Sequence, residues 1–482
     1  MRSISKVCDA ADWFDPEVLR IIHQELEEAP RFHRKQWEFA MIYLALQTYG
    51  MLQPHSVGLS MGGGTERVLY SIARRIHKLT VTDLYEENTD WDCARFPNAD
   101  EYLKAHKPFQ VEEERFEALH MDMRHLEFPD NTFDFCYSSC AVEHIGEYPD
   151  FLQHLQEVHR VLKPGGIYAF TTEFHFGEPT IQDAHNFLFS GEYLRRLIAE
   201  SPLALVAQPD VEVTPHVANY PFPGNFPQLC FMGETHMTQS VFDFAHFPHL
   251  MLLRGKYPFT SILLILKKEA PHFPGNRLEF PGLEASQHFL AQGIEAYRRR
   301  LQENILSIHP YSFSGRTRFF ADHQEFFDPV TEPPKDDTVF HTDYFWLADG
   351  ERHFYLRLVP AEDIQEPASL TLRIQRYATL LSGNVECVLE QPVEVRGKSP
   401  ITLHFTLPVD EDYCYALVGK WRQGPMRLHN IEIYSSPYPL AETPNPGNEA
   451  IAQHQERTSS WDNLWTLFRG ALPGSTPKVN SN

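Results

Sequence analysis

The strongest constraint on this chain lies between residues 56 and 83. Ser56-Val57-Gly58-Leu59-Ser60-Met61 is a short apolar run, and Gly62, Gly63 and Gly64 follow it at once. Thr65 to Arg75 has helical spacing, and Leu79-Thr80-Val81-Thr82 is a second apolar run ending on Asp83. Strand, glycine turn, helix, strand and acid, in that order, begin a parallel α/β unit. Glycine has no Cβ, so backbone at such a turn can approach a ligand closely and adopt dihedrals that other residues avoid. A carboxylate 19 residues beyond Gly64, at the tip of the second strand, can accept hydrogen bonds from both hydroxyls of a ribose. Alone, the turn also suits a nicotinamide dinucleotide's pyrophosphate, or no ligand, and Asp83 would equally cap a turn.

The alternation continues. After an acidic, irregular segment from Tyr85 to Asp100, Arg115 to Met121 reads as a third strand ending near Asp122, and Asn131 to Ser138 as a fourth. Phe151, Leu152, Leu155, Val158 and Leu162 make one apolar face of a helix over Tyr148 to Leu162. Lys163-Pro164-Gly165-Gly166 then stops that helix and turns the chain into a fifth strand, Ile167 to Thr172. Ser190 to Glu200 is a further helix and Phe259 to Leu266 a strand that closes the sheet. Upstream, residues 16 to 50 are helical, with an end at Gly50. The predicted fold class is α/β, a Rossmann-like, mostly parallel sheet with helices on both faces, followed by a β-sandwich-like domain. Residues 202 to 258, dense in Pro, Phe and His, read as a lid or substrate-loop region.

With 482 residues, more than one domain is expected. We assign 1–270 to the α/β domain, 271–337 to a helix (from Leu283 to Asn304) and linker, 338–437 to the sandwich-like domain and 438–482 to an arm with a disordered tip. Short runs such as Phe354 to Leu358, Leu370 to Ile374 and Ile401 to Phe405 alternate apolar with polar residues, as strands with one wet face do. Tyr344, Trp346, Tyr377 and Trp421 in this region are candidates for a carbohydrate platform, or ordinary core aromatics.

Charge and cysteine usage narrow the function. A net charge of −23 excludes broad contact with a nucleic-acid backbone, which draws its affinity from Lys and Arg. The most apolar run, Ile262 to Leu266, is far short of a membrane span, and Met1 to Asp15 lacks a secretion signal's apolar core; a cytoplasmic protein is expected. Seven scattered cysteines give neither a disulfide framework nor a zinc pattern. Asp243, His246 and His249 share helical spacing, but Phe247-Pro248 interrupts it, and no metal is expected.

These motifs together resemble the class I (Rossmann-like) S-adenosylmethionine-dependent methyltransferases, in particular those acting on small molecules. Arg160-Val161-Leu162-Lys163-Pro164-Gly165-Gly166 is the most specific match. Leu59 to Glu66 aligns with the first motif, an acid followed by Gly-x-Gly-x-Gly, so the resemblance puts the cofactor-cradling loop on Gly62, Gly63 and Gly64. It makes Asp83 the ribose-binding acid and Asp122-Met123 the pair that holds adenine. Phe133 to His144 resembles the fourth-strand motif, whose end, at Ser139, faces the methionine portion and the reacting methyl. Two positions depart from the pattern: Ser60 stands where the acid belongs and Glu66 where the third glycine belongs. The methionine ammonium is then left to Ser60 itself or to Glu38 of the N-terminal helix, while Glu66 suits the first turn of a helix.

S-adenosylmethionine carries an activated methyl group, so the protein has to position a nucleophile in line and, for a hydroxyl acceptor, remove its proton. His144, directly after the fourth strand, is the first candidate base, and His175 and Glu173, just after the fifth strand, are next; Glu143, the remaining catalytic candidate, would instead orient the substrate or cofactor. The expected activity is methyl transfer to a small-molecule, glycan or lipid-intermediate acceptor, with homo-oligomerisation through the β-rich domain a further expectation. The competing expectation is a non-catalytic nucleoside-binding or assembly module whose β-rich domain recognises a glycan or protein.

Overall fold

A computed structural model describes residues 3–86, 94–96, 98–183, 186–223, 248–269 and 277–303, with shorter runs between 306 and 440. Asp243, His246, Tyr344 and the arm from 441 lie outside the described residues. The chain divides into two compact units, Met1–Ala291 with Tyr377–Asn384, and Gln292–Arg376 with Val385–Asn482.

The first unit contains α1 (Arg34–Thr48), β1 (Val57–Met61), α2 (Arg67–Ala73), β2 (Lys78–Asp83), α3 (Ala99–Ala105), β3 (Phe116–His120), β4 (Phe133–Ser139), α4 (Tyr148–Val161), β5 (Leu162–His175), α5 (Gly191–Glu200) and β6 (Tyr257–Lys267). Its ten-stranded sheet has the central order β6-β5-β4-β1-β2-β3, with β5 to β3 parallel and β6 antiparallel to β5; the short strands Lys6–Val7, Ala204–Leu205 and Leu252–Arg254 pair antiparallel with β6, and Phe222–Pro223 pairs with Leu252–Arg254. Strands covered on both faces read as near-continuous apolar runs, which is why Phe259 to Leu266 carries so little polarity. Alternation separates the faces. Phe135, Tyr137, Ala169, Leu263 and Ile265 share a core with α1 and α2. Tyr168, one residue out of phase, meets α4 through His154 on the opposite face. The strand order reverses at β1, so the crevice for a ligand opens at the C-terminal ends of β1 and β4.

Lys163 to Gly166 differs from the turn the sequence suggests. The helix ends at Val161, and Leu162 is already extended and paired with Phe133, while Phe135 pairs with Ile167. Residues 163 to 166 thus bulge opposite Asp134 alone. Gly165 has a φ of +84° and donates its N–H to Lys268 O at 2.8 Å. Asp134 pins the bulge, accepting from Lys163 Nζ at 2.8 Å and, on its other oxygen, from the Val57 N–H at 2.8 Å.

The second unit has two antiparallel sheets. One orders Leu306–Ile308, Leu428–Ser436, Gly350–Pro360 and Ile401–Val409; the other orders Phe313–Ser314, Thr338–Thr342, Tyr413–Gln423, Ile364–Ala378 and Glu386–Gly397. Phe354, Leu356 and Phe405 of the first share one core with Phe340, Leu370, Leu372 and Leu417 of the second, the sandwich arrangement. Trp346 is core material, its indole N–H donated to Glu411 O at 2.8 Å. Trp421 is half-buried and donates to Gly424 O, and Tyr377 is half-buried. Among the described residues no helix is long and apolar enough to cross a membrane.

Candidate cofactor and acceptor site

The glycine turn is shaped by its surroundings. Gly62 and Gly64 have φ of +63° and +44°, in the left-handed region that favours glycine. A Cβ on Gly62 would lie 2.3 Å from Ala141 Cβ, and one on Gly63 would lie 2.5 Å from Ser60 Oγ. The Gly64 N–H donates to Asp83 Oδ2 at 2.9 Å, the Leu84 N–H to Oδ1 at 2.7 Å, and the Tyr85 hydroxyl to Gly64 O at 2.9 Å. The acid at the end of β2 is therefore tied to the turn after β1. Burial raises the Asp83 carboxyl, with the two N–H groups opposing it. A carboxylate accepts about four hydrogen bonds, so acceptor capacity is left for ribose hydroxyls.

Of the adenine candidates, Met123 is buried, with its Cε 3.1 Å from where a Gly62 Cβ would stand. Asp122 faces Arg124, accepting from its backbone N–H at 2.8 Å and its guanidinium at 2.7 to 3.0 Å. Burial works against the Asp122 charge, but Arg124 holds the carboxyl below its ordinary range.

At the ends of β4, β5 and β6, α1 brings charge into the sheet edge. Glu38 is fully buried; Oε1 accepts from Ser261 Oγ at 2.5 Å, and Oε2 from Ser139 Oγ at 3.2 Å, with Lys35 Nζ at 3.0 Å. Lys35 Nζ also donates to Ser139 O at 3.0 Å and stands 3.7 Å from Glu66 Oε1. Arg34 bonds Glu173, which also accepts from Asn186 at 2.8 Å. Burial raises the Glu66 carboxyl to about 8, with Lys35 only partly opposing it. Glu66 Oε2 is buried without a hydrogen-bond partner among the described residues, and the buried Ser60 and Tyr137 hydroxyls lie against one another. Sequence reasoning missed Arg34, Lys35 and Tyr137 as site residues. Arg34 and Lys35, four and three residues before Glu38, look like ordinary surface pairs of a helix.

The three catalytic candidates separate. Glu143 is 1% exposed; its Oε2 accepts from Thr172 Oγ1 at 2.9 Å, and its Oε1 has no partner among the described residues. Burial raises its carboxyl, with neighbouring His144 opposing and Glu173 reinforcing. His144 is half-buried. His175 is fully buried with both nitrogens engaged, Nε2 at 2.6 Å from Pro179 O and Nδ1 accepting from the Gly177 N–H at 3.1 Å. Both contacts clamp the Gly177 turn. His249 is buried and stacked on His33 at 4.3 Å, and no group of three or more metal-ligating side chains occurs among the described residues.

The residues present fit a nucleoside with a polar tail: a turn that Cβ atoms would fill, an acid at its rim and an unpartnered buried carboxylate oxygen behind it. Residues 59–170 match the family model described as a methyltransferase domain. This stretch is a methyltransferase domain. The demethylmenaquinone methyltransferase of Lysinibacillus sphaericus is 42% identical over 53 residues, 11% of this chain and 21% of that protein. Its counterpart in Listeria welshimeri is 42% identical over 50 residues, 10% of this chain and 20% of that protein. The chain thus spans about a fifth of the length of the curated relatives it matches. A solved structure of geranyl diphosphate C-methyltransferase from Streptomyces coelicolor, with Mg2+, geranyl diphosphate and S-adenosyl-L-homocysteine, is 15% identical, with a TM-score of 0.33 over 56% of this chain and 91% of that one. Arg34, Lys35, Glu38, Glu173 and Ser261 all lie outside the stretch that matches the methyltransferase domain.

Proposed function

We propose that the protein transfers a methyl group from S-adenosylmethionine to a hydroxyl of a small or medium-sized acceptor, a free small molecule, a glycan or a lipid intermediate. The observation that carries this reading is the Asp83 carboxylate tied to the glycine turn by the Gly64 N–H. The cofactor supplies a methyl group already activated on a sulfonium. In this reading the backbone of Gly62, Gly63 and Gly64 lies against it, Asp83 holds the ribose, Met123 packs beside the adenine, and Ser139 with Glu38 borders the methionine end.

The remaining work of the chain is to align the acceptor and take its proton. Glu143 is the best-supported base. Its burial raises its proton affinity, Thr172 holds one oxygen, and the other is unpartnered among the described residues. His144, its neighbour in sequence, lowers the Glu143 proton affinity when charged.

Isothermal titration with S-adenosylmethionine and, separately, NAD tests the cofactor assignment, repeated on Asp83→Ala. Selective binding of the former, weakened at least tenfold by the substitution, is expected from the loss of hydrogen bonds to a charged group, about 1.5–3 kcal/mol. Binding of NAD instead overturns the proposal in favour of a nicotinamide site, and binding of neither ligand overturns it and leaves an assembly role.

A further inference from the structure

The first motif of this chain lacks its acid, yet a carboxylate stands within the same pocket. Glu66 occupies the third-glycine position, and its side chain is 15% exposed. Its Oε1 lies 3.7 Å from Lys35 Nζ, while its Oε2 has no partner among the described residues. Ser60 and Tyr137, directly opposite each other on β1 and β4, are both fully buried, and their hydroxyls lie against one another. Ser60 Oγ points beneath the glycine turn, 2.5 Å from where a Cβ on Gly63 would lie. A buried carboxylate oxygen such as Glu66 Oε2 is costly to leave unpartnered unless a ligand donates to it, since a stranded group costs about 1–3 kcal/mol. Glu38 is the less suitable acid, because Ser261, Ser139 and Lys35 already occupy its two oxygens. Ser60 carries no charge.

We infer that Glu66 replaces the missing first-motif acid and binds the methionine ammonium of the cofactor, with the Ser60 and Tyr137 hydroxyls completing that subsite. The inference rests on the cofactor assignment proposed above. It explains why a glutamate is tolerated where glycine is the family's choice. Lys35 and Glu38 on α1, Asp83 at the end of β2 and Ser139 at the end of β4 are the groups that act on it: Lys35 and Ser139 favour its charge, Glu38 and Asp83 oppose it. Burial outweighs them and holds the carboxyl at about 8, so at pH 7 it is mostly protonated. An arriving ammonium favours the carboxylate, so binding releases a proton below pH 8 and tightens as pH rises toward it.

The test is titration calorimetry at pH 7 in buffers of different ionisation enthalpy. The ligands are S-adenosylhomocysteine and 5′-methylthioadenosine, which has the nucleoside and thioether but no amino-acid tail. The wild type is expected to release close to one proton with the first ligand and none with the second. Glu66→Gln should weaken S-adenosylhomocysteine about 10–100-fold, the value of a hydrogen bond to a charged group, abolish the proton release and leave 5′-methylthioadenosine unchanged. Glu66→Asp should restore part of both effects. Unchanged S-adenosylhomocysteine binding by Glu66→Gln, or an equal loss for both ligands, overturns the inference alone. Failure of the wild type to bind either ligand overturns the cofactor assignment as well.

Discussion

Glu143 combines burial, a single hydroxyl partner and an unpartnered second oxygen, and that combination sets its expected behaviour. Its carboxyl must be ionised to accept a proton, and its proton affinity is raised, so turnover should fall as pH drops through that raised value. Glu143→Gln should lower kcat by about 10²–10⁴-fold, the usual share of a general base, and remove this acidic limb; kcat–pH profiles of both proteins check it. An unchanged kcat would return the role to His144. Gly62 makes a second prediction at this scale. Its φ of +63° and the 2.3 Å approach to Ala141 mean that Gly62→Ala should destabilise the fold by at least about 1 kcal/mol and weaken S-adenosylmethionine binding, read by urea unfolding and titration.

At the scale of elements, His154 joins α4 to β5. Its Nδ1 lies 3.1 Å from Met123 O and its Nε2 2.8 Å from Tyr168 OH, and burial lowers its pKa to about 4. The folded pKa is below the unfolded one, so the contribution is complete above about 6.5 and is lost as pH falls toward 4. The shift corresponds to roughly 3 kcal/mol. Melting temperatures recorded across that window should fall steeply for the wild type and less steeply for His154→Gln; His33 and His249, shifted in the same direction, retain the rest. The parallel strands, α4 and the acid at the end of β2 were legible because apolar runs, helical spacing and glycine punctuation are local signals. The bulge at residues 163 to 166 was not, because Pro and paired Gly mark a turn equally well and only the pairing of Phe133 and Phe135 decides between them. Tyr137 read as strand core, and its hydroxyl meets Ser60 only once β1 lies beside β4.

For the whole molecule, two separate cores predict two responses to ligand. S-adenosylhomocysteine at about 100 times its Kd should add about 2.7 kcal/mol to the first unit and nothing to the second, so scanning calorimetry should show one transition moving and one standing still. A shift of both would mean that the units unfold together.

The pairing of Glu38 with Ser261 bears on the order in which the chain matures. These residues are 223 positions apart, and Lys6–Val7 likewise pairs with Leu263 and Ile262 on β6. During synthesis α1 and the glycine turn emerge early, but the strand that supplies Ser261 comes only after the whole parallel sheet. Contacts of such long sequence separation form slowly, because the intervening loop must close before they give any return. A ribosome-bound chain stopped before β6 would carry the complete glycine turn while the buried Glu38 carboxylate still lacked its Ser261 partner. The Glu38 side of the site is therefore finished only after the parallel sheet is complete.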